Sequence, residues 1–323
     1  MSESKKDPIE NIVIAGGGST GLIAHGILQA LEKRGAYSIN NIKRIYGTSV
    51  GALLAVLLAL KYEWEVLDKY LIERPWHKVF QINVSTFFAA YQKRGLLGIE
   101  VFHEILTSLF LGKDLEPQIT LKELYEYSGI EIHMYTVNVN TFTLCDLSHL
   151  THPDWAVIDA VYASCAIPTV FAPLVKEGVY YCDGGLIMNY PIGPCIDAGI
   201  PLDRILGIPN QVEPDDNAAI DDDSTLFEYI MCIMQHSFHR VISSQGSTQV
   251  PNEYAVPCKE ITIDDLMVVI QSAEHRAKRI ELGRSIIDRT VDESIQGESH
   301  ELVQGSGCDL GIKVDDGAAL DHL

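Results

Sequence analysis

The sequence predicts an α/β fold, a mixed and mostly parallel sheet covered by helices on both faces. Two observations carry this expectation. Short apolar, strand-like runs alternate with stretches of helical apolar spacing through the first 207 residues. Glycines and prolines are scattered through that alternation as turns, so no linker divides it. At 323 residues the chain is long enough to bury a full core.

Residues 11–15 (NIVIA) read as a buried strand. The following helix, expected over 22–34, has Leu22, Ile23, Ile27, Leu28 and Leu31 at helical spacing. A second strand (42–46) and helix (52–60) come next, and 137–139, 179–182 and 205–208 read as further strands. Residues 213–224 (EPDDNAAIDDDS) are rich in charge and poor in apolar side chains, as in an exposed loop. Residues 226–241 are amphipathic, and 264–287 read as a helix packing back on the domain. From about 291 glycine and acid dominate without periodicity. One domain over 9–290 and an acidic, disordered tail over 291–323 are therefore expected.

The most informative chemistry lies at Gly47-Thr48-Ser49-Val50-Gly51, between the second strand and its helix. A serine hydroxyl becomes useful as a nucleophile when a tight strand-to-helix turn holds it out. Flanking glycines allow that bend, and the helix N-terminus turns its N–H groups toward the reacting carbonyl. Upstream, Gly16-Gly17-Gly18-Ser19-Thr20-Gly21 opens the first helix and offers free backbone donors to an anion. A dinucleotide site wants an acid about 20 positions further on, and residues 36–41 (AYSINN) supply none. A P-loop wants Lys then Ser or Thr after the last glycine, where Leu22 and Ile23 stand. An oxyanion hole remains, with Val50 N–H as a further donor; glycines serving only close strand–helix packing are the competing reading. Downstream, the strand 179–182 ends in Asp183-Gly184-Gly185, which is either a simple turn or a carboxylate with unhindered reach.

These blocks, with Ala163-Ser164-Cys165-Ala166-Ile167-Pro168 and with Asn189 and Pro191, stand in the order of the patatin-like phospholipases. The chain resembles that family from about residue 9 to 207 and more weakly to about 289. The resemblance implies a three-layer α/β sandwich and a lipid acyl hydrolase working with a Ser–Asp dyad. Ser49 would be the nucleophile, Asp183 the base, and Gly16, Gly17 and Gly18 the oxyanion donors. Gly21, Gly47, Gly51, Gly184 and Gly185 are the motif glycines. One departure is Thr20, where the family usually carries Arg or Lys; a cation that could steady the loop or attract anionic head groups is missing there. A transacylase using the same acyl-serine, and a non-catalytic lipid-binding scaffold, are the alternatives. A Ser-His-Asp triad would need a histidine, and the candidates are His25, His236, His239, His275, His300 and His322.

The formal net charge of −20 argues against a nucleic-acid partner and against strong adsorption to anionic membranes. A lipid substrate at a membrane or micelle surface still requires an apolar docking face. Residues 76–91 (WHKVFQINVSTFFAAY) are the candidate, with Trp76, Phe80, Phe87, Phe88 and Tyr91 close together and His77 and Lys78 beside them. An ordinary buried helix and loop is the competing reading. The polar start MSESKKDPIE has no signal-peptide character, and the longest apolar run, 52–60, is about half a bilayer span. A cytoplasmic chain with at most peripheral membrane contact is expected. Seven cysteines without paired spacing suggest reduced thiols, and no Cys/His pattern suggests a metal; no cofactor is implied.

Overall fold

The computed structural model describes residues 8–82, 84–212, 250–258 and 263–304, with short runs between 220 and 240. The chain opens with β1 (Asn11–Ile14), α1 (Gly21–Lys33), β2 (Arg44–Thr48) and α2 (Val50–Ala59). Next come α3 (Trp64–Glu73), α4 (Trp76–Val79), α5 (Val84–Lys93), β3 (Gly95–Leu97) and α6 (Glu100–Leu111). Helix α7 (Leu121–Ser128) leads to β4 (Glu131–Asn138) and its hairpin partner β5 (Thr143–Leu147). Then follow α8 (Val157–Cys165), β6 (Thr169–Phe171), β7 (Leu174–Lys176), β8 (Val179–Asp183), α9 (Ile192–Asp197), β9 (Ile205–Ile208) and β10 (Asn210–Val212). The C-terminal part holds β11 (Asn252–Glu253), β12 (Val256–Cys258), α10 (Ile263–Gln271) and α11 (Ala273–Gln304).

The main sheet runs β11-β9-β1-β2-β4-β8-β7, with β5 along β4. Strands β11, β9, β1, β2 and β4 are parallel, and β5, β8 and β7 are antiparallel. The predicted mixed, mostly parallel sheet is present. Strand β1 is buried at all four positions, as expected where both faces are covered. Alternation sorts its side chains: Ile12 and Ile14 enter the large core with α1 and α2, while Val13 joins Tyr46 in a smaller core under α9. Helices therefore cover both faces.

The C-terminal region departs from expectation in two ways. The single helix foreseen over 264–287 is two, α10 and α11, separated at Ser272, whose Oγ accepts the His275 N–H at 3.3 Å and caps the second helix. Helix α11 also runs to Gln304, past residue 291 where the disordered tail was expected to begin. Extending an established helix needs no new nucleus, and 291–304 holds no proline to stop it. Residues 305–323 and most of 213–249 lie outside the described residues. Helix α11 lies directly against α1: a Cβ on Gly283 would sit 2.1 Å from Ile23 O.

Candidate active site

Ser49 stands between β2 and α2 at φ 55, ψ −126, a conformation that costs an L-residue about 1–3 kcal/mol and persists only when its surroundings enforce it. Those surroundings are specific. A side chain at Gly47 would put Cβ 2.5 Å from the Gly51 carbonyl, so the turn closes only around glycine. Ser164 Oγ accepts the Ser49 N–H at 2.9 Å and donates to Tyr135 O at 2.6 Å, tying the turn to β4. Thr48 Oγ1 donates to Met188 O at 3.0 Å. Ser49 is 5 % exposed, at the foot of a cavity rather than on open surface.

Strand β4 brings the carboxylate to the serine. One edge of β4 is paired with β5; the other is shared by β2 and then β8. Thr48 is registered against Tyr135, and Asp183 against the next residue, Thr136. The ends of β2 and β8 thus meet on adjacent positions of one strand. Asp183 is 2 % exposed. Its Oδ1 accepts the Gly185 N–H at 2.8 Å, while Oδ2 is buried with no hydrogen bond of normal length among the described residues. Burial pushes its pKa up to about 6, against the pull of the neighbouring Ser49 hydroxyl and the Gly185 N–H. A carboxylate with an open acceptor beside a buried hydroxyl is placed to receive that hydroxyl's proton.

The glycine loop is only partly available as a donor set. Gly16 N–H is already bonded to Asn189 O at 3.0 Å, so the expectation of Gly16 as an oxyanion donor is corrected. Its carbonyl accepts from Asn189 Nδ2 at 3.1 Å and from Asn210 Nδ2, which makes Gly16 the clamp that fixes the loop. The N–H groups of Gly17, Gly18 and Val50 have no acceptor among the described residues. Thr20 donates from both N and Oγ1 to Gly17 O, at 3.1 and 2.9 Å, and orients that peptide. An ion pair from far along the chain reaches the loop beside position 20. Arg279 of α11 donates to Ser19 Oγ at 3.3 Å and pairs with Asp265, which accepts from Ser19 Oγ at 2.7 Å. No local sequence signal marks Arg279 or Asp265 for these positions, and the Ala163–Pro168 block marked Ser164 without giving it a partner.

A cavity of about 210 Å³ opens at Gly18, Ser49 and Val50 and is walled almost wholly by apolar side chains. Leu53 and Leu57 of α2, Phe102 and Ile105 of α6, and Leu266, Val269 and Ile270 of α10 form much of it. Arg276 ties the α10 roof to the end of α3: its guanidinium donates to the carbonyls of Ile72, Arg74, Val269 and Ile270. The aromatic segment expected as a docking face divides. Trp76 and Phe80 belong to the cavity wall, whereas Phe88 is 80 % and Tyr91 94 % exposed; the Phe87 side chain lies outside the described residues.

No described histidine bonds to Ser49 or Asp183 or lines the cavity. His25 is bonded to Asp68 Oδ1 at 2.8 Å, His275 to Ser272 Oγ, and His236 is exposed. His239, His322 and the His300 side chain are outside the described residues. Cys165 is buried beside the site, and burial with the adjacent Asp183 pushes its thiol well up, away from thiolate chemistry. No cluster suited to a metal ion occurs among the described residues, and no helix there is long and apolar enough to cross a membrane.

Fold and site together define an α/β protein with a hydrolase-type strand–serine–helix turn at the mouth of an apolar cavity. The family model described as patatin-like phospholipase matches residues 12–196, more than half of the chain, and the chain belongs to that family of lipid hydrolases. Among similar proteins, the uncharacterized protein R571 of Acanthamoeba polyphaga mimivirus is 28% identical over 83% of this chain and 84% of its own length. The probable lipid hydrolase 463L of Invertebrate iridescent virus 6 is 26% identical over 57% of this chain and 62% of its own. Triacylglycerol lipase ptl3 of Schizosaccharomyces pombe is 27% identical over 53% of this chain and only 37% of its own. Among solved structures, VipD from Legionella pneumophila covers 86% of this chain and 67% of its own, at 16% identity and TM-score 0.48.

Proposed function

We propose that the protein is a serine esterase of phospholipase A type, cleaving fatty-acyl esters of phospholipids or other glycerolipids. Ser49 Oγ attacks the ester carbonyl carbon while its proton passes to Asp183. The carbonyl oxygen becomes an oxyanion facing the N–H groups of Gly17, Gly18 and Val50. Collapse breaks the ester C–O bond, and Asp183 returns the proton to the leaving alkoxide, leaving acyl-Ser49. Water then attacks the acyl-enzyme by the same route and releases the fatty acid. The acyl chain lies in the cavity lined by Leu53, Phe102 and Ile270. A carboxylate is a weaker base than imidazole, so much of the rate rests on the oxyanion donors, each worth about 10²–10³-fold.

The observation that carries this reading is the buried Oδ2 of Asp183, which has no acceptor role elsewhere among the described residues, next to the hydroxyl of the strained Ser49. A fluorophosphonate probe mapped by mass spectrometry tests it. Ser49 is expected to be the only labelled serine, and Ser49→Ala to lose labelling and ester hydrolysis while its melting transition stays put. Labelling elsewhere, or none in folded protein, overturns the reading.

A further inference from the structure

The charge of this chain is distributed unevenly at one place that matters. Between Glu73 and Glu100 lie 26 residues without a single Asp or Glu, in a chain that carries 44 of them. The same stretch holds Arg74, Lys78, Lys93 and Arg94. Arg74 is paired with Glu104. Lys78, Lys93 and Arg94 are exposed, and none has an acidic partner among the described residues. Arg94 instead lies over the Tyr180 ring, 5.5 Å from its centroid, at the start of the strand that ends in Asp183.

The aromatic side chains of this stretch work in two directions. Trp76 and Phe80 face inward and wall the cavity, while Phe88 and Tyr91, three residues apart on α5, stand almost fully in solvent. Strand β3, which follows α5 directly, pairs with β6, and Val170 and Phe171 of β6 are cavity wall too. The segment therefore supplies Trp76 and Phe80 to the cavity wall and also carries exposed aromatic and basic side chains.

We infer that α4 and α5 dock this protein on an anionic lipid surface. Phe88 and Tyr91 enter the interface and Lys78, Lys93 and Arg94 meet the head groups. The inference rests on the acyl-hydrolase reading for its purpose, since docking sets the cavity against its lipid. It stands against the expectation that a net charge of −20 opposes such binding. Opposing charge elsewhere is screened beyond about 8–10 Å, so the local basic face governs contact. Each basic side chain at an anionic surface strengthens partitioning roughly fivefold, and aromatic side chains with an apolar body settle at the head-group level.

The test is co-sedimentation of the full Ser49→Ala chain, which leaves lipid uncleaved, with two kinds of vesicle. One is phosphatidylcholine alone; the other has about one-third phosphatidylserine. Binding to the anionic vesicles is expected to be at least about tenfold tighter and to weaken as salt rises. Lys78→Glu with Lys93→Glu should erase the preference, and Phe88→Ala with Tyr91→Ala should weaken binding to both vesicles severalfold, with melting transitions unchanged. Equal binding to the two vesicles, or anionic binding that ignores both double variants, overturns the inference. The two readings fail separately. A wild-type chain that turns over a soluble ester but binds neither vesicle sinks the docking face alone. A chain that binds anionic vesicles and leaves soluble esters intact sinks the catalytic reading alone.

Discussion

At the polar edge of the site, Ser49, Asp183 and the glycine loop are set by main-chain pairing and braced by short side chains such as Ser164, Thr48 and Asn189, whereas the roof over the cavity is held by long side chains. The edge depends on strand register, with Thr48 against Tyr135 and Asp183 against Thr136, and on backbone bonds such as Gly16 N–H to Asn189 O. The roof depends on Arg276 reaching four carbonyls and on the Ser19–Asp265–Arg279 cluster. Farther along α11, Arg284 donates to Gln29 and pairs with Asp68, which also holds His25. Main-chain contacts fix a position to a fraction of an ångström, which the reacting atoms require. Side-chain contacts hold a surface in place while leaving its lining free to vary. Substitutions at the edge should therefore act on the chemical step, and substitutions in the roof on which chain is accepted.

The largest expected effect is at Asp183. Asp183→Asn should lower kcat on a soluble ester by about 10²–10⁴-fold, because it removes the proposed base and keeps the shape. In the unaltered protein, kcat should rise with pH through about 6 and level off above, as the carboxyl ionises. Stability should run the other way. The folded pKa lies above that of the unfolded chain, so the contribution is complete below about pH 4 and is lost as pH rises through about 6. Near pH 7 the ionised group costs the fold up to about 3 kcal/mol, and Asp183→Asn should melt higher than the parent while being inactive. A histidine variant whose kcat falls as far as that of Asp183→Asn would break the comparison by placing the base outside the main-chain edge.

Next is the loop. A Cβ at Gly17 would lie 2.2 Å from Thr20 Oγ1, so Gly17→Ala should drive that hydroxyl off the Gly17 carbonyl it holds and misdirect the loop N–H groups. About 10²-fold in kcat with little change in KM is expected from steady-state kinetics. A change confined to KM would move the loop to the binding side of the comparison. The roof should respond differently. Leu266→Trp fills part of the cavity, and the ratio of long- to short-chain ester kcat/KM should fall about tenfold while the short-chain rate holds. Equal losses on both esters would show that the roof positions the edge. The smallest effect belongs to the end of α11. Ile287 is the last buried side chain described, and truncation after Thr290 should leave short-chain hydrolysis unchanged within about twofold. Lost activity in a folded truncation would extend the domain beyond 290.

Legibility followed the same division. The Ser49 turn was readable because a strand, two glycines and a helix start lie within a few residues of one another. Gly16 was misread as a donor because its N–H is taken by Asn189, 173 positions away, and nothing local announces that bond. The aromatic stretch 76–91 was readable as important but not as divided, since hydropathy does not say which ring faces a cavity.

By itself the sequence determined what local preference and spacing can carry: the strand–helix alternation, the glycines around Ser49, and the aspartate closing a strand before two glycines. Each of these follows from backbone sterics and hydrophobic periodicity over a handful of residues. Tertiary structure alone decided that β2 and β8 share one edge of β4, which sets Asp183 beside Ser49 across 134 residues of chain. It also decided that α10 roofs the cavity and that Arg279 stands near the loop where Thr20 carries no charge. Such contacts depend on how whole elements pack, and packing is a property of the assembled core that no short window of sequence contains.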